Sequence, residues 1–249
     1  MWDNMFRIVL INLGFIICTA FPIFVPGLIG QLTGITELEI VIAAIGILLC
    51  TFYLSAAALS LKSISDYGSF GFSEFFKAFK MTWPAGLVMG GIVFAFFLAA
   101  TVIIPFYLNM EPPVMGLAIA AILFWILIFA LLSFQYFFTV YARLGADIKK
   151  TFKKCMIIFL DNSALSIFLI IHNFLGLLLS IIFAFMFPGP AGILLYLDEA
   201  LRLRLLKYDW LEANPGADRR KIPWDALLIE EREKTGTRTF KNFVFPWKD

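Results

Sequence analysis

The 249-residue sequence contains few of the side chains that catalyse reactions or hold metal ions. It has one histidine, His172, and only three cysteines, Cys18, Cys50 and Cys155, which are far apart in the chain. A metal site or a nucleophilic catalytic unit needs several such groups in one place. The chain also has no Gly-rich phosphate loop, dinucleotide fingerprint or hydrolase serine motif. We therefore expect a non-enzymatic protein with no cofactor, no metal ion and no disulfide.

Charged residues are scarce as well. They make up 15% of the chain, and the net charge is only +2. Nucleic-acid-binding domains concentrate basic residues on one face, so we expect no nucleic-acid partner. Hydrophobic residues are abundant instead, at 61%, and the mean hydropathy is +0.89. This composition predicts an all-α, polytopic membrane bundle whose main partner is the lipid bilayer.

Five apolar runs are long enough to cross about 30 Å of hydrocarbon. They are residues 6–25, 39–61, 84–108, 114–142 and 163–187. A sixth segment after Pro190 begins apolar and then becomes charged. Lys and Arg near the ends of spans are held in the cytoplasm, and the connections 27–38, 109–113 and 187–190 contain neither. The pattern predicts six transmembrane helices, the sixth short and charged, in a domain covering 1–211, with a cytoplasmic tail over 212–249 and both termini in the cytoplasm.

Two stretches, 72–83 and 149–159, combine aromatic and basic residues at helical spacing. This pattern predicts amphipathic helices at the membrane interface. They can serve as anchors in the headgroup layer or as a surface for a partner protein. The aromatic end of the tail can likewise dock on its own domain or on a partner. The candidate surface residues are Phe75, Phe76, Lys77, Phe79, Lys80, Lys149, Lys150, Lys153, Lys154, Phe240, Phe243 and Trp247.

A second candidate site consists of polar residues at membrane depth. Its members are Asp198, Glu199, Arg202, Arg204, His172 and Asn173. Asp198 and Arg202 are four residues apart, so we expect an ion pair between them on one helix face. That face either lines a cavity or reaches the interface by snorkelling. For His172 we expect a hydrogen bond across the bundle, with Asn12 or Gln135 among the possible partners, rather than a proton-handling role.

Gly86 and Gly90 in the third span have the small-xxx-small spacing that lets two helices approach closely. The spacing is used either for packing within the bundle or for a homo-oligomer contact. We expect the first use.

Three short motifs resemble those of a known family. They are Trp2-Asp3-Asn4 followed by Phe6-Arg7, then Cys18 with Phe21-Pro22-Ile23 and Pro26-Gly27, and finally Phe75-Phe76-Lys77-Ala78-Phe79-Lys80. With the spans up to Lys207, they resemble the YesL-like family of bacterial six-span membrane proteins. That resemblance implies location in the bacterial cytoplasmic membrane and an accessory role beside carbohydrate importers of the ABC type. It implies no catalytic residues. The charged sixth segment and the long tail depart from the family pattern.

Three functions are therefore open at this point. The chain is an accessory or regulatory component of carbohydrate uptake that contacts ABC transporter subunits. Alternatively, it is a small-solute transporter or channel that uses the face from Asp198 to Arg204. A third alternative is a structural subunit of a larger membrane assembly.

Overall fold

The computed structural model describes residues 4–145, 147–219 and 221–235. Helices account for 86% of the structure, and no strand occurs in these ranges, which confirms the all-α class. The helices are α1 (Met5–Thr33), α2 (Thr36–Ser65), α3 (Phe72–Leu98), α4 (Ile104–Leu108), α5 (Pro113–Phe134), α6 (Phe137–Leu144), α7 (Ile148–Asp161), α8 (Ser163–Ile182), α9 (Gly189–Ala213), α10 (Trp224–Leu227) and α11 (Ile229–Thr235), with a π-helical segment, Ala99–Ile103, between α3 and α4.

In the part of the chain that the structure describes, five helical segments are long and apolar enough to cross a membrane. They are Met5–Thr33, Thr36–Ser65, Phe72–Leu108, Pro113–Leu144 and Ser163–Ile182. Their outer faces expose large apolar side chains such as Val114, Trp125 and Ile182, as a bilayer requires. α9 is 25 residues long but is not among the five. A sixth crossing by α9, and the orientation inferred from loop charge, remain predictions.

Helix α2 is the central element of the bundle, because α1, α3 and α6 all pack against it. Its middle carries three consecutive alanines, Ala56, Ala57 and Ala58, each at most 3% exposed. Such small side chains allow neighbouring helices to approach closely. The hydrophobic core around them combines Ile11 of α1 and Leu195 of α9 with residues of α2.

The close contact between α2 and α3 uses the two glycines of the third span. A Cβ atom added at Gly86 would collide with Phe52, and one at Gly90 would collide with Leu48 and Thr51, all on α2. These glycines therefore face a helix of the same chain. Their faces are occupied, which corrects the alternative of a homo-oligomer contact through Gly86 and Gly90.

The first helix is longer than the apolar run 6–25 from which it is predicted, and two prolines lie within it. α1 runs through Pro22 and Pro26 to Thr33, beyond the predicted end at residue 25. Pro22 lies against Gly46 of α2, where the absence of a side chain provides the space. The proline ring is accommodated in the helix contact, so the helix continues.

The stretch 72–83 is not a separate interfacial helix. It forms the first turns of α3, which continues through Pro84 to Leu98. Glu74 accepts a hydrogen bond from the Gly71 backbone N–H at 2.8 Å and so stabilises the start of the helix. Stretch 149–159 is different, because it lies in a distinct 14-residue helix, α7.

The connection between α8 and α9 is held to α1 by Asn12, which is 0% exposed. The Asn12 Nδ2 donates to the carbonyl oxygens of Met186 and Pro188, at 3.0 and 2.9 Å. Its Oδ1 accepts from the backbone N–H of Ala191 at 2.8 Å. One amide therefore orders the first turn of α9.

The chain divides after Leu201 into two compact units. The first contains α1 to α8 and the beginning of α9. The second begins at Arg202, within α9 and before the predicted domain boundary at residue 212.

Candidate functional site

A buried ion pair joins α6 to α9 inside the first unit. Arg143 donates from Nε to Asp198 Oδ1 at 2.7 Å and from Nη2 to Asp198 Oδ2 at 2.5 Å. The side chains are 10% and 3% exposed, respectively. This two-pronged geometry is the strongest arrangement available to an arginine and a carboxylate.

The end of α2 completes the arrangement. Ser65 Oγ accepts from Arg143 Nη2 at 2.8 Å and donates to Glu199 Oε1 at 2.8 Å. Asp66, just after α2, accepts from Arg143 Nη1 at 3.1 Å and is 43% exposed. We call these five residues the Arg143 cluster: Arg143, Asp198, Ser65, Asp66 and Glu199.

Local structure brings the Arg143 cluster together. The chain turns at Gln135–Tyr136 between α5 and α6, and Gly145 ends α6 with φ +89°. Arg143 therefore lies in the last turn of a short helix that packs on α2. Asp198 lies in α9, on the side that is buried in the first unit.

Removing both charges of a pair from water costs several kcal/mol per ion. The Arg143 cluster offsets this cost because the arginine donates hydrogen bonds to three side chains. Both oxygens of Asp198 are engaged by Arg143. The carboxylate thus holds α6 and α9 together. Within the described residues, no group of three or more His, Cys, Asp or Glu side chains is placed to hold a metal ion.

A polar groove of about 600 Å³ adjoins the Arg143 cluster. It lies between the end of α2 and the start of α3 and includes Asp66, which therefore belongs to both the groove and the cluster. Its polar lining residues include Ser60, Lys62, Ser69, Asp66, Glu74 and Lys77. Charges of both signs and several hydroxyl groups thus face one open space.

The predicted ion pair between Asp198 and Arg202 is wrong. Asp198 pairs with Arg143 instead, and Arg202 donates to Glu231 at 2.5 Å in the second unit. Arg204 Nε is buried without a hydrogen-bond partner among the described residues. Asp198 and Arg202 therefore have their ion-pair partners in different units.

The predicted hydrogen bonds of His172 are also wrong. Its imidazole stacks on Tyr196 of α9, with ring centroids 3.8 Å apart and an angle of 16°. Asn12 bonds to the start of α9, as described above, and Gln135 Nε2 donates to the carbonyl oxygens of Leu132 and Ser166. His172 Nδ1 and Asn173 Oδ1 are buried without partners in the described part of the chain.

The predicted surface residues of α3 separate into two faces. Phe75 and Phe79 pack inward, with ring centroids 5.5 and 6.3 Å from that of Tyr53. Phe76, Lys77 and Lys80 remain exposed. The aromatic half of the proposed surface is thus partly core.

On α7, Lys149, Lys150 and Lys153 are exposed and Lys154 is half-buried. Thr151, Cys155, Ile158 and Phe159 form its buried side. Phe240, Phe243 and Trp247 lie outside the described residues.

Sequence reasoning missed Arg143, Ser65 and Asp66 as members of a site. In the sequence, Arg143 only follows a long apolar run, which indicates a basic residue near the end of a span. One signal was present: an aspartate buried in a membrane protein requires a cationic partner. Arg143 is the one cation at the end of that run, yet sequence alone does not show which helix faces α9.

Comparison with known proteins adds no relative: no family model matches the chain, and searches of curated proteins and of solved structures find no match.

Proposed function

We propose that this chain is a non-enzymatic protein of the bacterial cytoplasmic membrane that assists or regulates a carbohydrate importer of the ABC type by contacting its subunits. The observation that supports this proposal is the polar groove beside the Arg143 cluster. The resemblance to the YesL-like family supplies the class of partner. The groove supplies a surface for it.

The groove presents both apolar and charged side chains to a segment of another protein. It carries Lys62 and Lys77 together with Asp66 and Glu74. A partner segment with charges of both signs can pair with these residues, and such pairing selects the partner and its orientation.

Asp66 connects the proposed partner contact in the groove to the Arg143 cluster of the bundle. Its carboxylate is 43% exposed while it bonds Arg143 Nη1. A cationic partner residue that binds Asp66 shares this carboxylate with Arg143, whose Nη1 donates to Oδ1. A partner bound in the groove would therefore contact a residue that helps to join α2, α6 and α9.

A photo-crosslinking amino acid in place of Met81 tests the proposal. Met81 lines the groove and is 66% exposed. We expect crosslinks in intact membranes to an importer subunit, identified by mass spectrometry. The same amino acid in place of Trp125, which is 67% exposed on α5, is the control and should not give this product.

Charge reversal in the groove provides a second, independent result. Lys77→Glu should reduce the crosslink from position 81, whereas Lys80→Glu, on the same helix but outside the lining of the groove, should not. Recovery of the protein alone from mild detergent, with no crosslinked importer subunit, would contradict the proposal. A stable complex without any ATP-binding subunit would favour a structural subunit instead.

The size of the groove favours one further candidate, a small-solute transporter. Its volume of about 600 Å³ lies within the range of small-molecule sites. In this case the purified protein alone should carry labelled sugar into lipid vesicles, and Lys62→Gln should reduce the rate. Equal uptake by vesicles with and without the protein would exclude this function for sugars.

A further inference from the structure

A second cavity, with a different chemistry, lies between α1, α2 and the start of α3. Its volume is about 320 Å³, within the range of small-ligand sites. Its walls are mainly apolar and aromatic, with Leu10, Ile11, Tyr53, Phe70 and Phe75 among them. We call it the aromatic cavity.

Contacts within the bundle hold the aromatic walls of this cavity in place. The Tyr53 hydroxyl donates to the Ile11 carbonyl oxygen at 2.8 Å, so its polar end is satisfied within the bundle. The Tyr53 ring packs against Phe75, with centroids 5.5 Å apart. Phe70 is 8% exposed. The cavity therefore offers a preformed apolar surface to a ligand.

The mouth of the aromatic cavity opens between apolar side chains. Phe6 and Phe72 line it and are 74% and 72% exposed. Exposed aromatic residues on a membrane-spanning bundle contact lipid. A mouth lined by these side chains suits contact with the surrounding bilayer.

Arg7 is the one charged residue among the described residues that line the aromatic cavity. Its guanidinium donates to Asn4 Oδ1. Asn4 is 7% exposed, and its Nδ2 donates to the Gly68 carbonyl oxygen at 3.0 Å. This chain of hydrogen bonds fixes Arg7, while a guanidinium has five N–H donors and only one is engaged by Asn4.

We propose that the aromatic cavity binds an anionic phospholipid of the surrounding bilayer. An acyl chain lies along the apolar walls, and the phosphate accepts hydrogen bonds from Arg7. Arginine binds phosphate through two parallel N–H···O bonds, which explains why the one cation is placed at an otherwise apolar cavity. The site does not depend on the importer contact proposed above.

Native mass spectrometry of the purified protein tests this site, with added phosphatidylglycerol or phosphatidylcholine. We expect tighter binding of phosphatidylglycerol. Arg7→Gln should weaken that binding about fivefold to tenfold, and Arg7→Lys should weaken it less because the charge remains. Gly71→Phe should also weaken it, because Gly71 lines the cavity and a Cβ atom there contacts no other atom.

Lys80→Gln is the matched control, since it removes an exposed cation of α3 that does not line the aromatic cavity. It should leave phosphatidylglycerol binding unchanged. Equal binding of both lipids, or an equal loss in Lys80→Gln and Arg7→Gln, would overturn the proposal. Circular dichroism and gel filtration confirm that each variant remains folded, and Arg7→Lys and Gly71→Phe keep the test valid if Arg7→Gln does not fold.

Discussion

The side chain of Asn12 is fully buried and holds the beginning of α9 by three hydrogen bonds. Gly189, at φ +60°, lies so close to it that a Cβ atom there would collide with the amide. A left-handed backbone and the close approach of Asn12 both require glycine at this position.

Asn12→Ala should lower the free energy of unfolding by about 1 to 3 kcal/mol, because it leaves the Ala191 N–H and two carbonyl oxygens without their partner. Unfolding in sodium dodecyl sulfate, followed by circular dichroism, measures the loss. Asn109→Ala is the control, because Asn109 is exposed and bonds only locally to Pro105. An equal loss in both variants would contradict the role given to Asn12.

Cys155 illustrates how burial controls reactivity at a single residue. Burial raises the pKa of its thiol to about 12. Because the thiolate is the nucleophile, Cys155 should react with iodoacetamide at pH 8 about a thousandfold more slowly than an exposed cysteine. Its rate should keep rising as the pH approaches 12, whereas that of an ordinary cysteine levels off above pH 9.

The measurement uses protein with Cys18 and Cys50 replaced by alanine. Lys150→Cys, added to a version that also lacks Cys155, is the comparison, because Lys150 is on the same helix with 76% of its side chain exposed. Rapid labelling of folded Cys155 would show that the thiol is not buried.

At the scale of elements, the contact between α2 and α3 depends on which glycine faces which helix. Gly86 packs on Phe52, whereas a Cβ atom at Gly91 would contact nothing within 4 Å. Both positions are glycines of the same helix, so replacement by alanine changes the intrinsic helix propensity equally at each. They differ only in their neighbours.

Gly86→Ala should therefore destabilise the protein by about 1 to 3 kcal/mol through overpacking. Gly91→Ala should be neutral or stabilise it by up to about 1 kcal/mol, since alanine has the higher helix propensity. Thermal unfolding in detergent compares them. The same effect in both variants would show that α3 does not approach α2 through Gly86.

At the scale of the whole molecule, the Arg143 cluster joins the ends of α2 and α6 to α9. These elements are separated in the chain by α3 to α5 and by α7 and α8. Arg143 thus connects three helices through its bonds to Asp198, Asp66 and Ser65, at the edge of the polar groove.

Asp198→Ala should cost about 1 to 3 kcal/mol of unfolding free energy, because it removes the buried two-pronged partner of Arg143 and leaves that charge paired only with the partly exposed carboxylate of Asp66. Asp225→Ala is the control, since its pair with Arg232 is exposed and such pairs contribute about 0 to 1 kcal/mol. Replacing both members, Arg143→Met with Asp198→Leu, should restore most of the loss. A cost below about 1 kcal/mol for Asp198→Ala would show that the pair is not buried as described.

The sequence by itself determined the all-α class and the five apolar spans, because hydrocarbon requires long runs of apolar residues and satisfied backbone hydrogen bonds. It also placed α7 as a separate amphipathic helix, since its lysines and apolar residues alternate at helical spacing. These features depend on residues close together in the chain. The sequence did not show that 72–83 continues into α3, because a proline can either end a helix or be tolerated within a packed bundle.

Only the tertiary structure decided which polar residues meet. Asp198 and Arg202 have the spacing of an ion pair, yet Asp198 binds Arg143 across 55 positions of sequence. In the same way Asn12 binds the start of α9 rather than His172. The spacing of residues in the sequence shows only which side chains share a face of one helix. Which helix faces pack against each other depends on how the whole bundle buries its side chains. That packing assembles the Arg143 cluster, the polar groove and the aromatic cavity.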